Sequence, residues 1–321
     1  MNEVAHELDL LEHKLLFVTG KGGVGKTTIS TALALLAAKR GKRTLLCDVD
    51  AKGDISAFFE QSPLTFTPRE IEKGLFAMAM DTEASLREYL HLYAKVPLLG
   101  SIGPLAKIFD FVATAAPGVK EILVVGKLCW EVKERHYDLI VVDAAASGHI
   151  VSQLMAPAAI NSLVKVGLIR SQTDWMLEIL ADPLRTALAI VATPEEMPVA
   201  ESIELVERVA SETPVSLSAV IVNRVLPELF GNKEEEVFEA ICERERMAEL
   251  NRLLDGDVAP VMEAARLAVT MRRTRATHLE RLKQALGNQV PMLMIPELFT
   301  RTMGRRSITQ VAMACGEELG Y

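Results

Sequence analysis

The stretch GKGGVGKTT, residues 20–28, sets four glycines and two lysines within nine positions. Its frame is G-x-x-x-x-G-K-T, with Gly20, Gly25, Lys26 and Thr27 at the fixed places. Glycines let the backbone curl until successive N–H groups point at the oxygens of one anion. A lysine placed like Lys26 neutralises β- and γ-phosphates, and a hydroxyl placed like that of Thr27 ligates Mg2+. Gly20, Lys21, Gly22, Gly23, Val24, Gly25, Lys26, Thr27 and Thr28 are therefore predicted to cradle the phosphates of a nucleotide. Lys21 is surplus to that task. Within one chain the loop amides and Lys26 leave it little to neutralise.

Two carboxylates extend the pattern. Asp50 lies in CDVDAKGDISAFF (47–59), just past an apolar run. A carboxylate at such a strand tip can orient an attacking water. Asp143 ends YDLIVVD (137–143), an apolar run closing on an acid. That arrangement sets a carboxylate beside Mg2+ or its waters.

The elements that must position these groups are written in short apolar runs. KLLFVT (14–19), RTLLCD (43–48), LFAMAM (75–80), YDLIVVD (137–143), TALAIVAT (186–193), LSAVIVN (217–223) and VPMLMI (290–295) read as strands. Most are apolar throughout rather than alternating, which suits strands covered on both faces. Helical patterns lie between them, such as KTTISTALALLAAKRGK, closed by basic residues and Gly41. The alternation predicts an α/β fold: a doubly wound, mainly parallel sheet with helices on both faces. The phosphate loop has the context it needs, a strand before it and a helix after, whose N-terminal dipole favours anions.

The whole chain, 1–321, reads as a single domain, with 84–135 and 147–180 as elements of a helical subdomain within it. Pro97, Gly100, Gly103, Pro104, Pro117 and Gly118 break the first of these into short, apolar pieces able to line a groove. Residues 232–286 hold an acidic block and then a basic one containing RRTR (272–275), most simply two solvated helix faces.

Composition narrows the function. A hydrophobic share of 50% supports a large core, and a net charge of −8 argues against a surface that wraps nucleic acid. The four cysteines, Cys47, Cys129, Cys242 and Cys315, contain no CxxC pair and read as thiols of a reducing cytoplasm. The acidic, helix-like N-terminus does not read as a secretory signal. The longest stretch without Asp, Glu, Lys or Arg, 144–164, carries too many polar residues to span a membrane.

The loop with its extra lysine, K-G-G-x-G-K-T, resembles that of the deviant-Walker-A P-loop ATPases. The later motifs resemble their arsenite-pump and tail-anchored-protein-targeting branch. DAAASGH (143–149) is similar to the branch pattern D-T-A-P-T-G-H, and VNRV (222–225) and IPELF (295–299) follow in order, so the resemblance spans residues 14 to 315. It implies ATP and ADP as ligands with Mg2+. It implies a dimer, of this chain with itself or with a paralogue, in which Lys21 reaches the partner's nucleotide. By the same resemblance Asp50 is the first-switch water-positioning residue, and Asp143, Gly148 and His149 form the second switch. Asn223 is a base-recognition residue, and Pro296 and Glu297 belong to the segment that covers the adenine.

This sequence also departs from the branch. Ala57 stands where the arsenite-pump branch usually carries a second aspartate, and the second switch has lost a Thr and a Pro. The CxxC pair and methionine-rich insert of the eukaryotic targeting factors have no counterpart here. The expectation is a cytoplasmic, Mg2+-dependent ATPase, a dimeric switch in which Lys21, Lys26 and Asp50 are catalytic and whose client is hydrophobic or a membrane protein. One alternative is an ATP-binding regulatory or assembly subunit that scarcely hydrolyses. A more distant one is a partitioning-type ATPase that associates with DNA.

Overall fold

In β1 (Leu15–Gly20) every residue is buried, and successive side chains enter opposite cores. Leu16 and Val18 join one core, while Leu15 and Phe17 join the other. Such a strand must lie between two helical layers, because side chains alternate faces along it. The computed structural model describes residues 10–51, 53–94, 118–163, 166–228, 231–287 and 290–321. The remaining strands are β2 (Thr44–Asp48), β3 (Arg69–Glu72), β4 (Leu75–Ala79), β5 (Leu139–Asp143), β6 (Thr186–Ala192), β7 (Ser216–Val225) and β8 (Met292–Pro296).

They form one eight-stranded sheet in the order β3-β4-β2-β5-β1-β6-β7-β8. Every neighbouring pair is parallel except the β3–β4 edge. The α/β, doubly wound class read from the sequence is the fold observed. The strand missed is β3, REIE, an edge element whose charged residues hide it from any apolar-run criterion.

One face of the sheet is covered by α1 (Lys26–Lys39) and α11 (Arg305–Glu318), with the short α2 (Asp54–Phe58) beside them. Helix α1 is buried over nearly its whole length from Ile29 to Ala38, which its alanines allow. A Cβ at Gly316 of α11 would stand 3.4 Å from Leu36 Cδ1, so the two helices meet closely there. The other face carries α4 (Val119–Lys133), α5 (Ser147–Leu163), α6 (Leu168–Ala181) and α7 (Glu196–Glu212), with the C-terminal part of α10 (Ala259–Leu286). Helix α3 (Thr82–Ala94) packs on α4.

The apolar stretch read as a groove lining lies mostly outside the described residues, as do the first nine of the chain. The charge blocks of 232–286 become α8 (Asn232–Ile241), α9 (Arg244–Leu253) and α10. They are not merely solvated: Arg273 of the basic block pairs with Glu235 and Glu239 of the acidic one, at 2.7 and 2.8 Å. No helix among the described residues is long and apolar enough to cross a membrane.

Because β1, β2, β5 and β6 run parallel, their C-terminal ends share one edge of the sheet. There β1 lies between β5 and β6, and the connection after β1 runs toward β2 while the one after β5 crosses to β6 on the other side. A crevice at such a switch point is where α/β sheets receive ligands.

Candidate functional site

The segment after β1 turns sharply because two glycines occupy backbone that no other residue could. Gly20 has φ +150°, and a Cβ there would lie 2.1 Å from the Val191 carbonyl oxygen of β6. Gly25 has φ +92°, and a Cβ there would lie 2.3 Å from Asn223 Nδ2. Helix α1 starts at Lys26 with no side chain capping its first amides. Those N–H groups, with the turn's own amides, form a concave donor surface for an anion. Gly22 and Gly23 are exposed on the loop's outer side.

Asn223, the residue expected at the base, is also tied to the loop. Its Nδ2 donates to the Val24 carbonyl at 2.9 Å, and its Oδ1 accepts from the Arg224 amide at 3.0 Å. Half of its hydrogen-bonding capacity is thus used to hold the loop to β7. Asn223 also lines a base-sized hollow of about 200 Å³, together with Thr28, Arg224, Pro296, Glu297 and Met303.

Thr27 Oγ1 donates to Asp143 Oδ2 at 2.7 Å. The other carboxylate oxygen, Asp143 Oδ1, is buried without a hydrogen-bond partner. Burial pushes the Asp143 carboxyl up to about 6, against a lowering by the Thr27 hydroxyl. A hydroxyl and an orphaned carboxylate oxygen side by side are hard oxygen donors, so these residues fit Mg2+. That ion takes few protein ligands and keeps waters and phosphate oxygens for the rest. The described residues contain no cluster of three or more His, Cys, Asp or Glu that could hold a metal ion.

Asp48, to which the sequence alone assigns no role, also stands at this edge. It ends β2 in direct register with Asp143 on β5, is buried, and has its carboxyl raised by desolvation. Its Oδ1 accepts from the Ala51 amide at 2.8 Å, which shapes the turn carrying Asp50. Strand register was the signal that could have found it. Asp50 itself is exposed beyond the strand tip, as are Gly148 and His149 in the first turn of α5. These three follow strands whose C-terminal ends share the crevice edge.

Lys26 Nζ donates back to the Lys21 carbonyl at 3.3 Å. Lys21 is paired with Glu201 of α7, whose second oxygen accepts from Ser147 Oγ at 3.4 Å. Nothing in the sequence links Lys21 to a glutamate 180 positions away.

Comparison with known proteins points the same way. The profile of a family described as anion-transporting ATPase matches residues 13–176 and 169–253. ATPase BagA of Mycobacterium tuberculosis is 35% identical over 67% of this chain, and the match spans 66% of its own length. An ATPase ASNA1 homolog of Plasmodium vivax is 26% identical over 94% of this chain and 88% of its own. ATPase GET3 of Podospora anserina is 31% identical over 53% of this chain and 51% of its own.

Proposed function

The chain belongs to the anion-transporting ATPase family, and on that premise we propose that it is a Mg2+-dependent ATPase acting as a dimeric, nucleotide-driven switch. One observation carries the reading: Thr27 and the unsatisfied Asp143 Oδ1 lie together under an uncapped helix N-terminus. Phosphate oxygens and a hydrated Mg2+ would satisfy both at once. The roles follow from the positions. The loop amides and Lys26 bind β- and γ-phosphate, and Thr27 and Asp143 hold the metal directly or through water. Asp50 orients the attacking water, and Pro296 and Glu297 flank the base. Mg2+ supplies charge neutralisation at the phosphates, and the rest of the catalysis is positioning and electrostatics.

Lys21 completes the site of a second chain across the dimer. Its contact with Glu201 is then an intrachain resting state exchanged on association, and Ser147 ties that exchange to the second switch around Gly148 and His149. The elements within 84–135 and 147–180 form the subdomain that meets the client. An apolar cavity of about 270 Å³ between α3, α4, α5 and α6, lined by Leu86, Tyr89, Ile122, Trp130, Ile160 and Trp175, supports a hydrophobic client.

The test is steady-state ATP hydrolysis across a range of chain concentrations, with Lys21→Ala measured alongside. Turnover per chain should climb with concentration and collapse in the variant. ATP bound without turnover at any concentration would replace this reading with the regulatory subunit, which Ala57 and the exposed Asp50 favour.

A further inference from the structure

Arg275 lies on α10, the long helix of the 232–286 region, and belongs to none of the nucleotide motifs. Its side chain is 16% exposed. The guanidinium stands among three segments from different parts of the chain, two of which, at Arg224 and Glu297, line the base-sized hollow. Nη1 donates to the Arg224 carbonyl at 3.2 Å, at the end of β7. Nη1 also faces Glu297 Oε2 at 4.0 Å, in the loop after β8. Nη2 reaches Glu195 Oε1 at 3.5 Å, in the loop between β6 and α7. Arg224 is strained as well, with φ +60°, a left-handed conformation that a non-glycine side chain keeps only when its surroundings hold it there.

The contacts close a circuit. The Glu297 amide donates to the Val225 carbonyl at 2.9 Å, and the Arg224 amide donates to Oδ1 of Asn223, whose Nδ2 bonds the phosphate loop. We propose that Arg275 is a positioning residue for the base half of the nucleotide site. It holds the Arg224 turn and the Glu297 loop at the separation a purine base needs, while the phosphate half is assembled without it. A planar guanidinium can serve acceptors in several directions at once, and a lysine ammonium cannot hold the same fork.

This rests on the proposed nucleotide reading, so the test separates the two. Calorimetry compares ATP with inorganic tripolyphosphate, a probe that has the phosphates but no base, both with Mg2+. Wild type, Arg275→Ala and Arg275→Lys are titrated, with thermal unfolding as a check on folding. The expected result is that Arg275→Ala weakens ATP about tenfold or more, on the scale of losing hydrogen bonds to a charged group, while tripolyphosphate affinity is unchanged. Arg275→Lys should recover only part of the loss, and Glu195→Ala, which removes one contact, should fall between. Equal losses for both ligands, or unaltered ATP affinity, would overturn the proposal and leave the phosphate site standing. A wild type that binds neither ligand would overturn the nucleotide reading itself, and the role of Arg275 with it.

Discussion

Asp143 is held in an environment that suits it only when something else arrives. Its carboxyl, raised by burial from the ordinary 3.8 to about 6, binds its proton more tightly in the folded chain than in the unfolded one. Stability of the ligand-free protein therefore falls as pH rises between those values, and above about 6 the full cost of the buried charge is present. By linkage that cost is on the order of 3 kcal/mol. Asp143→Asn should leave unfolding nearly unchanged at pH 4 and stabilise the ligand-free protein at pH 7.5. With Mg2+ and ATP added, thermal unfolding should rise for wild type and hardly move for the variant. Lys21 makes a second test. Its pair with Glu201 is partly exposed, so breaking it costs at most about 1 kcal/mol. Glu201→Gln should lower the concentration giving half-maximal turnover by no more than about fivefold. A rise instead would mean that Glu201 positions Lys21 rather than restraining it. Thr27 and Asp143 could be read from the sequence because each is defined by its own neighbours. Asp48 and Glu201 could not, since one depends on strand register and the other on how α7 packs.

Elements deliver these groups through their ends, and the turn between β1 and α1 is the least tolerant of them. Gly25→Ala would place a methyl on Asn223 Nδ2 and force a left-handed backbone on alanine. A loss of about 1–3 kcal/mol is expected in chemical denaturation, together with loss of nucleotide binding. Gly22→Ala, where a Cβ meets nothing within 4 Å, should leave stability unchanged. The two substitutions differ only in position, so the contrast isolates loop geometry from loop flexibility. Seven of the eight strands were readable as apolar runs because both sheet faces are covered and no polar alternation interrupts them. Strand β3 pairs on one side only and keeps its charges. The bond from Asn223 to Val24 was out of reach for a similar reason: the type of residue was evident, but its partner, a carbonyl in another strand's loop, was not.

At the scale of the molecule, charge decides what the surface can meet. The chain carries a net −8, and in RRTR both Arg273 and Arg275 are engaged with carboxylates of the same chain. Little basic surface is left there to displace counterions from a duplex. No electrophoretic shift of DNA is expected even at low salt, and a salt-dependent shift would revive the partitioning-type reading. The sheet also fixes an order of events during synthesis. Val24 and its anchor Asn223 are 199 residues apart in the chain. At ~5–20 residues per second, a ribosome delivers the anchor roughly 10–40 s after the loop. Until then the nascent N-terminal half has the phosphate-binding sequence without the support beneath it. ATP is abundant around every ribosome, and a half-made chain that gripped it early would be committed before it had a partner or a back to its pocket. Because that support comes from the last third of the sequence, the loop is backed only once more than two-thirds of the chain has been made.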